Sequence, residues 1–197
     1  MSHHIHHTNG IILHSFNIGE SHRVIEVLTE KLGFIRANVR SVRNERSKLR
    51  YSLENLSETT LSLVRGREVW RVTGALPRQN FYHSLKDDFE KLTLLLRIIT
   101  LVRRLVQGEE KNKYLYLVIR ELCIALSGGE HTEEELEGIE CVAALRILHS
   151  LGYLKHESVF VRFFDDTTFS KEVAQDAYKK KKKAILEINN SLAASHL

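Results

Sequence analysis

The sequence predicts an α+β protein in which an N-terminal five-stranded OB-fold barrel is followed by a helical bundle. Residues 10–75 consist of short apolar alternations rich in β-branched side chains and separated by turn signals, which is typical of strands. After Pro77, the only proline, the apolar period changes from two to 3.6. We therefore expect two domains, residues 1–78 and 79–197. With 43% apolar residues in a chain of 197, both have enough material for a core.

The strand signals are followed by turn residues in each case. Two tight connections and one long polar loop after the third strand favour a small closed or partly closed barrel. The OB-fold is the nucleic-acid-binding example of such barrels, and an SH3-like barrel is the alternative. The predicted strands cover Gly10–Phe16, Arg23–Thr29, Phe34–Arg43, Thr59–Val64 and Glu68–Gly74.

The second half carries helical periodicity and helix-end signals. Thr132 followed by Glu135 predicts a capping box, and Gly152 is a stop signal for the same helix. The first helix is apolar nearly all round, which indicates a central, buried helix. Residues 153–164 are expected to be extended or hairpin-like. The predicted helices cover Leu85–Val106, Tyr114–Leu126, 132–151 and Lys171 to about Leu192.

The apolar content does not predict a membrane protein. The most apolar segment, Leu92–Val106, is interrupted by three arginines, so no stretch reaches the roughly 20 apolar residues of a membrane span. The N-terminus has no pattern of a secretory signal. We therefore expect a cytoplasmic protein.

No pattern of catalytic residues is present in the sequence. The chain has no HExxH, GxGxxG, GxSxG or Walker A motif. Cys123 and Cys141 lack the spacing of a zinc site and are expected to be reduced core residues. We expect a protein that is not an enzyme and that binds no cofactor and no metal.

The positive charge is concentrated in one part of the chain. The net charge of +4 comes entirely from residues 1–77, and within residues 36–50 six cations accompany a single anion, Glu45. Such a cluster favours a nucleic-acid backbone as the partner, and a solvated basic loop is the alternative. The six cations are Arg36, Arg40, Arg43, Arg46, Lys48 and Arg50, with Arg23 as a weaker candidate.

The third predicted strand adds an aromatic side chain to this charge. Its alternation places one apolar face against the core and a second face made of Phe34, Arg36, Asn38 and Arg40. An aromatic platform beside guanidinium groups is what single-strand binding requires. The alternative is that Phe34 is partly buried and the arginines pair with Glu20, Glu26 or Glu68. Trp70 is interpreted as a barrel-core residue.

Two further clusters have less specific interpretations. The histidines among residues 3–7 could chelate a metal, but their position favours a frayed terminus. The run Lys179 to Lys183 should surround a continuous helix, because successive residues of a helix point in different directions. We favour a solvated helix there over an auxiliary contact to a DNA backbone.

In order and spacing, several short motifs together resemble the RecO family of bacterial recombination-mediator proteins. The similarity covers residues 8–80 and continues diffusely through the helices to Tyr153. The motifs are Gly10-Ile11-Ile12-Leu13, Gly19-Glu20, Leu28-Thr29-Glu30 with Gly33, Ser47-Lys48-Leu49-Arg50, Leu53-Glu54 and Glu68-Val69-Trp70-Arg71-Val72-Thr73.

The resemblance implies a non-enzymatic protein of DNA repair, in a bacterial cytoplasm and associated with the nucleoid. RecO-like proteins bind single- and double-stranded DNA, anneal strands, engage the C-terminal tail of single-strand-binding protein and join RecR to load the recombinase. Many members carry a four-cysteine zinc module after a Leu-Gly-Tyr segment. No cysteine follows Leu151-Gly152-Tyr153 here, so we expect no zinc.

The tails of single-strand-binding proteins in this family are acidic with an apolar end, which implies an apolar groove with cations at its rim. We expect that groove between the first two helices, with Arg97, Arg103, Arg104 and Arg120 at its rim. The alternative is that these arginines pair with Glu90, Glu109 or Glu121. A second function remains open, an interaction adaptor whose helical bundle docks a partner while the barrel is a scaffold.

Overall fold

A computed structural model of the chain describes residues 4–18, 22–40, 49–67, 69–154 and 159–194. The chain forms two compact units. The first, the barrel unit, comprises Met1–Ser84 and the segment Gln107–Tyr116, and the second, the helical unit, comprises Leu85–Val106 and Leu117–Leu197. The division at residue 78 therefore stays a prediction, since the barrel unit continues to Ser84 and includes a later segment.

The barrel unit is a closed five-stranded barrel with the strand order β1-β2-β3-β5-β4. Most neighbours are antiparallel, and β3 closes the barrel by a short parallel pairing with β5. This confirms the predicted OB-fold. The strands are β1 (Ile5–Ile18), β2 (His22–Thr29), β3 (Gly33–Arg40), β4 (Ser57–Arg65) and β5 (Trp70–Asn80), with a short helix α1 (Leu49–Ser52) before β4.

The barrel interior is filled by alternate side chains from all five strands. On β3 the inward residues are Ile35, Ala37 and Val39, as the alternation predicted. Trp70 belongs to the same cluster and is 6% exposed, so its predicted place in the barrel core is confirmed. The other members are Ile12, Ile25, Val27, Leu53, Leu61, Leu63 and Val72.

The first strand begins earlier than predicted. It starts at Ile5, and His6 and His7 pair with Leu63 and Ser62 of β4. The His7 ring nitrogen Nδ1 lies 3.0 Å from the Ser62 hydroxyl. The expectation of a frayed terminus is therefore wrong for these two histidines.

The fifth strand continues through the only proline. β5 runs to Asn80, and Pro77 pairs with Thr59 next to a register shift in β4. A proline is tolerated in a strand at such an irregularity because no ladder hydrogen bond from its nitrogen is needed. Pro77 does not mark the end of the strand region.

The segment 107–116 completes the barrel unit. The Tyr116 hydroxyl donates to Glu58 of β4 at 3.1 Å, and Arg65 forms an ion pair with Glu109. A Cβ atom on Gly33 would lie 2.0 Å from the carbonyl oxygen of Glu110, so the β2–β3 turn requires glycine at this approach.

The helical unit is built around α5, its most buried helix. The predicted capping box is present at Thr132 and Glu135, and Gly152 follows the helix with a positive φ of 77°. The prediction that the first helix is central is wrong, because α3 exposes one face, including Leu96, while α5 packs against α3, α6 and α7. The helices are α2 (Phe81–Leu85), α3 (Phe89–Leu105), α4 (Lys113–Ser127), α5 (Glu133–Ser150), α6 (Lys171–Lys179) and α7 (Lys181–Ala194).

Helix α6 approaches α5 closely at one glycine. A Cβ atom on Gly138 would lie 2.0 Å from the carbonyl oxygen of Ala174. Because that neighbour is backbone, no rotamer change can make room. Gly138 thus sets the separation of the two helices.

A buried arginine holds the chain that follows α5. Arg146 is 1% exposed, and its guanidinium donates to the carbonyl oxygens of Phe163 at 2.7 Å and Thr168 at 2.9 Å. It also lies over the Phe169 ring. The expectation of an extended or hairpin-like segment is wrong for residues 159–164, where Val161–Phe163 form a 3-10 turn.

The last predicted helix is two helices. α6 ends at Lys179 and α7 begins at Lys181, so the lysine run does not surround one continuous helix. The Lys180 Nζ lies 3.1 Å from a carboxylate oxygen of Asp176, and Lys181 forms an ion pair with Glu137. The exposed members of the run are Lys179, Lys182 and Lys183.

None of the helices among the described residues has both the length and the apolar character that a membrane crossing requires.

Candidate nucleic-acid interface

One outward face of the barrel combines exposed aromatic and cationic side chains. Cross-strand pairs align His14 with Glu26 and Arg36, and align Phe16 with Val24 and Asn38. Asn38 in turn neighbours Arg71 on β5, whose flanking residues Trp70 and Val72 point inward. We call the surface formed by His14, Phe16, Arg36, Asn38 and Arg71 the outer sheet face.

Arg36 is oriented by an acidic neighbour. Its guanidinium lies 3.0 Å from Glu26, whose side chain is almost fully buried, while the Arg36 side chain is 66% exposed. The predicted alternative of pairing with Glu26 is therefore present. A single carboxylate accepts one edge of the guanidinium, and the exposed remainder can still donate to a phosphate.

Phe16 is the exposed aromatic side chain of this face. It is 39% exposed at the end of β1, and its ring lies 6.2 Å from that of His14, with the planes inclined by 30°. Exposed rings on a sheet are platforms on which bases stack.

The choice of Phe34 as the stacking residue is corrected by the structure. Phe34 is 9% exposed, so no ring face is open to a base. The adjoining Gly33 lies against Glu110 of the segment 107–116, which shows that later residues pack over this end of β3. The alternative interpretation, a buried residue at the strand end, is the one observed.

The turn between β4 and β5 forms a small notch beside Asn38. The notch has a volume of about 190 Å³ and is lined by Asn38, Gly66, Arg67, Val69, Trp70 and Arg71. Trp70 is buried, and its indole Nε1 has no hydrogen-bond partner among the residues that the structure describes. A buried donor without a partner costs about 1–3 kcal/mol.

The remaining predicted cations are placed only in part. Arg40 is the last residue of β3 and Arg50 belongs to α1. Arg23 lies on the inward side of β2 at the barrel end, where its Nε donates to Asn17 at 3.4 Å. Arg43, Arg46 and Lys48 lie outside the described residues.

The sequence interpretation missed Phe16, Arg67 and Arg71. OB-folds bind oligonucleotides on the face of strands two and three and at the loops joining strands one to two and four to five. Arg67 and Arg71 lie at the loop that joins strands four and five. The predicted strand order was therefore enough to select them as candidates. Phe16 follows a register shift in β1 after Ile12. Because of that shift, counting alternate residues along the strand assigns Phe16 to the wrong face.

The arginines predicted for a partner groove are largely engaged with acidic residues. Arg97 of α3 makes two hydrogen bonds to Glu140 of α5, both 2.7 Å. Arg120 pairs with Glu121 at 2.9 Å, as the alternative predicted. Arg103 and Arg104 lie in the last turn of α3 and also have interactions within the protein.

The two cysteines and the metal-ligating side chains of the described residues form no metal site. Burial raises the pKa of the Cys141 thiol to about 11, so it is protonated at neutral pH. Cys123 is fully buried. In the described part of the chain, no three histidine, cysteine or acidic side chains are placed so that they could hold a metal ion.

Comparison with known proteins agrees with this architecture. A family profile described as "Recombination protein O N terminal" matches residues 1–81, which include all five strands. A protein from Roseiflexus sp. (strain RS-1), named DNA repair protein RecO, is 31% identical over 149 residues, covering 76% of this chain and 50% of the relative. A protein of the same name from Alkaliphilus metalliredigens (strain QYMF) is 26% identical over 150 residues, covering 76% and 59%.

The relatives are longer than this chain. The chain spans about half the length of the curated relatives that it matches. The profile match lies on the barrel, and the pairwise matches cover roughly three quarters of the chain. The barrel therefore matches the N-terminal domain of recombination protein O, and the similarity to proteins named DNA repair protein RecO continues into the helices that follow it.

Proposed function

We propose that this chain acts in DNA repair as a non-enzymatic DNA-binding protein, with the outer sheet face as its principal DNA contact. The relatives named DNA repair protein RecO support the role in repair. The single observation that carries the binding proposal is the combination of exposed Phe16 and Arg36 with half-buried Arg71 on the part of an OB-fold that binds oligonucleotides.

The charge of the barrel supports a phosphate-bearing ligand. Arg36 projects into solvent, and Arg67 is exposed on the β4–β5 turn. The basic stretch 41–48 follows β3 in the sequence and adds further arginines. Guanidinium groups exchange condensed counterions for phosphate contacts, which gives affinity without base specificity.

The family suggests finer activities for the whole protein. We propose that it binds single- and double-stranded DNA, anneals complementary strands, and helps to load a recombinase onto strands covered by single-strand-binding protein, together with a RecR-like protein. The receptor for the acidic tail of single-strand-binding protein would be the helical unit. Its candidate contact residues are Arg97, Arg103, Arg104 and Arg120.

The test of DNA binding is the fluorescence anisotropy of a labelled single-stranded oligonucleotide at two salt concentrations. We expect the double variant R36A/R71A to bind about tenfold more weakly at low salt, because two phosphate contacts are lost. The dependence of log affinity on log salt should decrease by about one unit per contact. An affinity that does not change with salt would contradict the proposal.

Two control variants locate the interface. R78A removes an arginine of β5 that lies near Glu58 and Asn9, away from the outer sheet face, and should bind like the unchanged protein. Replacing the exposed lysines by glutamine in K179Q/K182Q/K183Q should reduce affinity less than R36A/R71A. The opposite order would place the DNA on the lysine run.

Activity in repair is tested by strand annealing with cognate single-strand-binding protein present. R36E/R71E should lose annealing, because a reversed charge repels the phosphates. If annealing and repair are unchanged in that variant, the barrel is a scaffold and the adaptor alternative replaces this proposal.

A further inference from the structure

The lysine run lies at a break between two helices, and the break gathers its side chains around one concave surface. On a continuous helix, five successive side chains would point in all directions around the axis. Here α6 ends at Lys179 and α7 begins at Lys181. All five lysines line a single open pocket of about 670 Å³, whose wall is completed by Tyr178 and Ile185. We call this surface the lysine pocket.

Packing holds the break in place, since lysine itself favours a continuous helix. Ala177 and Ala184 are buried on either side of the break, and both helices pack on α5. The carbonyl oxygen of Lys180 accepts hydrogen bonds from the backbone N–H groups of Lys183 at 2.9 Å and Ala184 at 3.0 Å. The lysine side chains therefore project from a fixed base.

Acidic residues neutralise two of the five lysines. Lys180 Nζ lies 3.1 Å from Asp176, which also pairs with Arg162, and Lys181 pairs with Glu137. The other three lysines are exposed, and in the described part of the chain no acidic side chain forms an ion pair with them. These three are Lys179, Lys182 and Lys183.

The cations at the pocket outnumber the acidic groups that contact them. Like charges held close together repel one another, and salt screens this repulsion only in part. A ligand that carries several negative charges removes the repulsion and exchanges its own counterions for lysine contacts. The charge of the lysine pocket therefore fits a polyanion.

The lining of the pocket favours phosphate groups over nucleobases. A lysine ammonium is a compact point charge with three donors, so it binds a phosphate from many directions. Tyr178 is half-buried, and the Nζ of Lys181 lies over its ring, 5.9 Å from the centroid. The lysine pocket therefore has no open ring face for a base, in contrast to Phe16 on the outer sheet face.

We propose that the lysine pocket binds the phosphate backbone of a nucleic-acid duplex through Lys179, Lys182 and Lys183. A duplex keeps its bases stacked inside and presents about one negative charge per 1.7 Å of its axis. A single strand gains much of its affinity from base stacking, which this pocket does not offer. The inference rests on the proposed function for the kind of ligand, and it adds a second site, in the helical unit, that is separate from the outer sheet face.

The test compares a labelled blunt duplex with a labelled thymidine oligonucleotide, each titrated into the full chain and followed by anisotropy. The variant K179Q/K182Q/K183Q removes the three exposed charges of the pocket. We expect its affinity for the duplex to fall about tenfold or more at low salt, and the salt dependence to decrease by about 2–3 units, because each lost phosphate contact contributes about 0.9. Its affinity for the thymidine strand should change by at most about threefold.

A matched control separates the pocket from the net charge of the chain. K86Q/K111Q/K171Q removes the same number of exposed lysines, all outside the pocket, and should bind the duplex like the unchanged protein. The corresponding triple arginine variant of the pocket keeps its charges and should keep its affinity. Far-ultraviolet circular dichroism checks that the helices of each variant remain folded.

Competition on the unchanged protein gives a second measurement that needs no substitution. If the two nucleic-acid sites are separate, a saturating unlabelled thymidine strand should leave the labelled duplex bound. Complete displacement would show one shared site and overturn the inference. Poly-glutamate that displaces the duplex as effectively as unlabelled duplex does would assign the pocket to an acidic protein, and it would also overturn the inference.

The outcomes distinguish this inference from the proposed function. If R36A/R71A loses the duplex and the lysine variant keeps it, or if the matched control loses as much affinity as the lysine variant, the lysine pocket is not the duplex site and the outer sheet face is unaffected. If the lysine variant loses the duplex while R36A/R71A keeps the thymidine strand, the inference stands and the outer sheet face is not the principal DNA contact. If neither probe binds, both proposals are wrong.

Discussion

The barrel unit and the helical unit differ in where they place their arginine side chains. The barrel interior is apolar, and its arginines project outward, as Arg36 does. In the helical unit Arg146 is buried, and Arg97 on the surface is paired with Glu140. Arg146 therefore stabilises the helical unit from within, whereas Arg36 leaves most of its side chain open to solvent even though it pairs with Glu26.

The largest effect on stability is expected when Phe34 is replaced by alanine, and Phe16 provides the comparison on the barrel surface. F34A should lower the free energy of unfolding by about 3–5 kcal/mol, because Phe34 is buried and a cavity remains. F16A should leave stability nearly unchanged and weaken oligonucleotide binding by about 1–3 kcal/mol, the contribution of one stacked base. Urea unfolding followed by Trp70 emission and oligonucleotide anisotropy measure the two quantities. Full affinity in F16A would show that the bases stack elsewhere.

Replacing the buried arginine of the helical unit should have the next largest effect. R146L leaves the carbonyl oxygens of Phe163 and Thr168 without their donor. We therefore expect the free energy of unfolding to fall by roughly 2–4 kcal/mol. The control R97L removes an exposed ion pair and should cost at most about 1 kcal/mol. Urea unfolding followed by far-ultraviolet circular dichroism reports the helices. Equal effects of the two variants would remove the contrast between structural and surface cations.

A glycine substitution tests how closely α5 and α6 pack. G138A should destabilise the helical unit by about 1–3 kcal/mol, although alanine favours a helix, because the added Cβ would meet the backbone of Ala174. In the control G129A, nothing lies within 4 Å of the new Cβ, and little change is expected. Thermal unfolding of both variants measures this, and a stabilised G138A would show that the helices separate easily.

The smallest effect concerns the pH dependence of the helical unit. Burial, with a smaller contribution from the charge of Lys91, lowers the pKa of His131 below its ordinary 6.5. The unfolded chain therefore binds the proton first as pH falls, so this contribution to stability is complete above 6.5 and is lost as pH falls through the lowered pKa. H131Q should reduce the difference between the melting temperatures at about pH 7.5 and about pH 5.5. An unchanged difference would assign the pH dependence to other groups.

The barrel could be predicted from the sequence because one face of each strand is buried. Apolar and polar residues therefore alternate along the strands. It also predicted the inward Trp70 and the capping box at Thr132, since both depend on local pattern. Phe34 was misassigned because its burial involves residues more than seventy positions later in the chain, near Glu110. Phe16 was missed because a register shift interrupts the alternation of β1. The break at Lys180 was missed because lysines favour a continuous helix.

The segment 107–116 gives the barrel a discontinuous sequence, and this has a consequence for its synthesis on the ribosome. The five strands are complete at Asn80, but Glu109, Glu110 and Tyr116 reach their barrel neighbours only after α3 has been made. At roughly 5–20 residues per second, the stretch from 85 to 116 takes about 2–6 s. During that interval the newly made barrel exposes the Glu58 carboxylate and the glycine turn at Gly33 that Tyr116 and Glu110 later contact. The barrel therefore reaches its final form only after part of the helical unit has been translated.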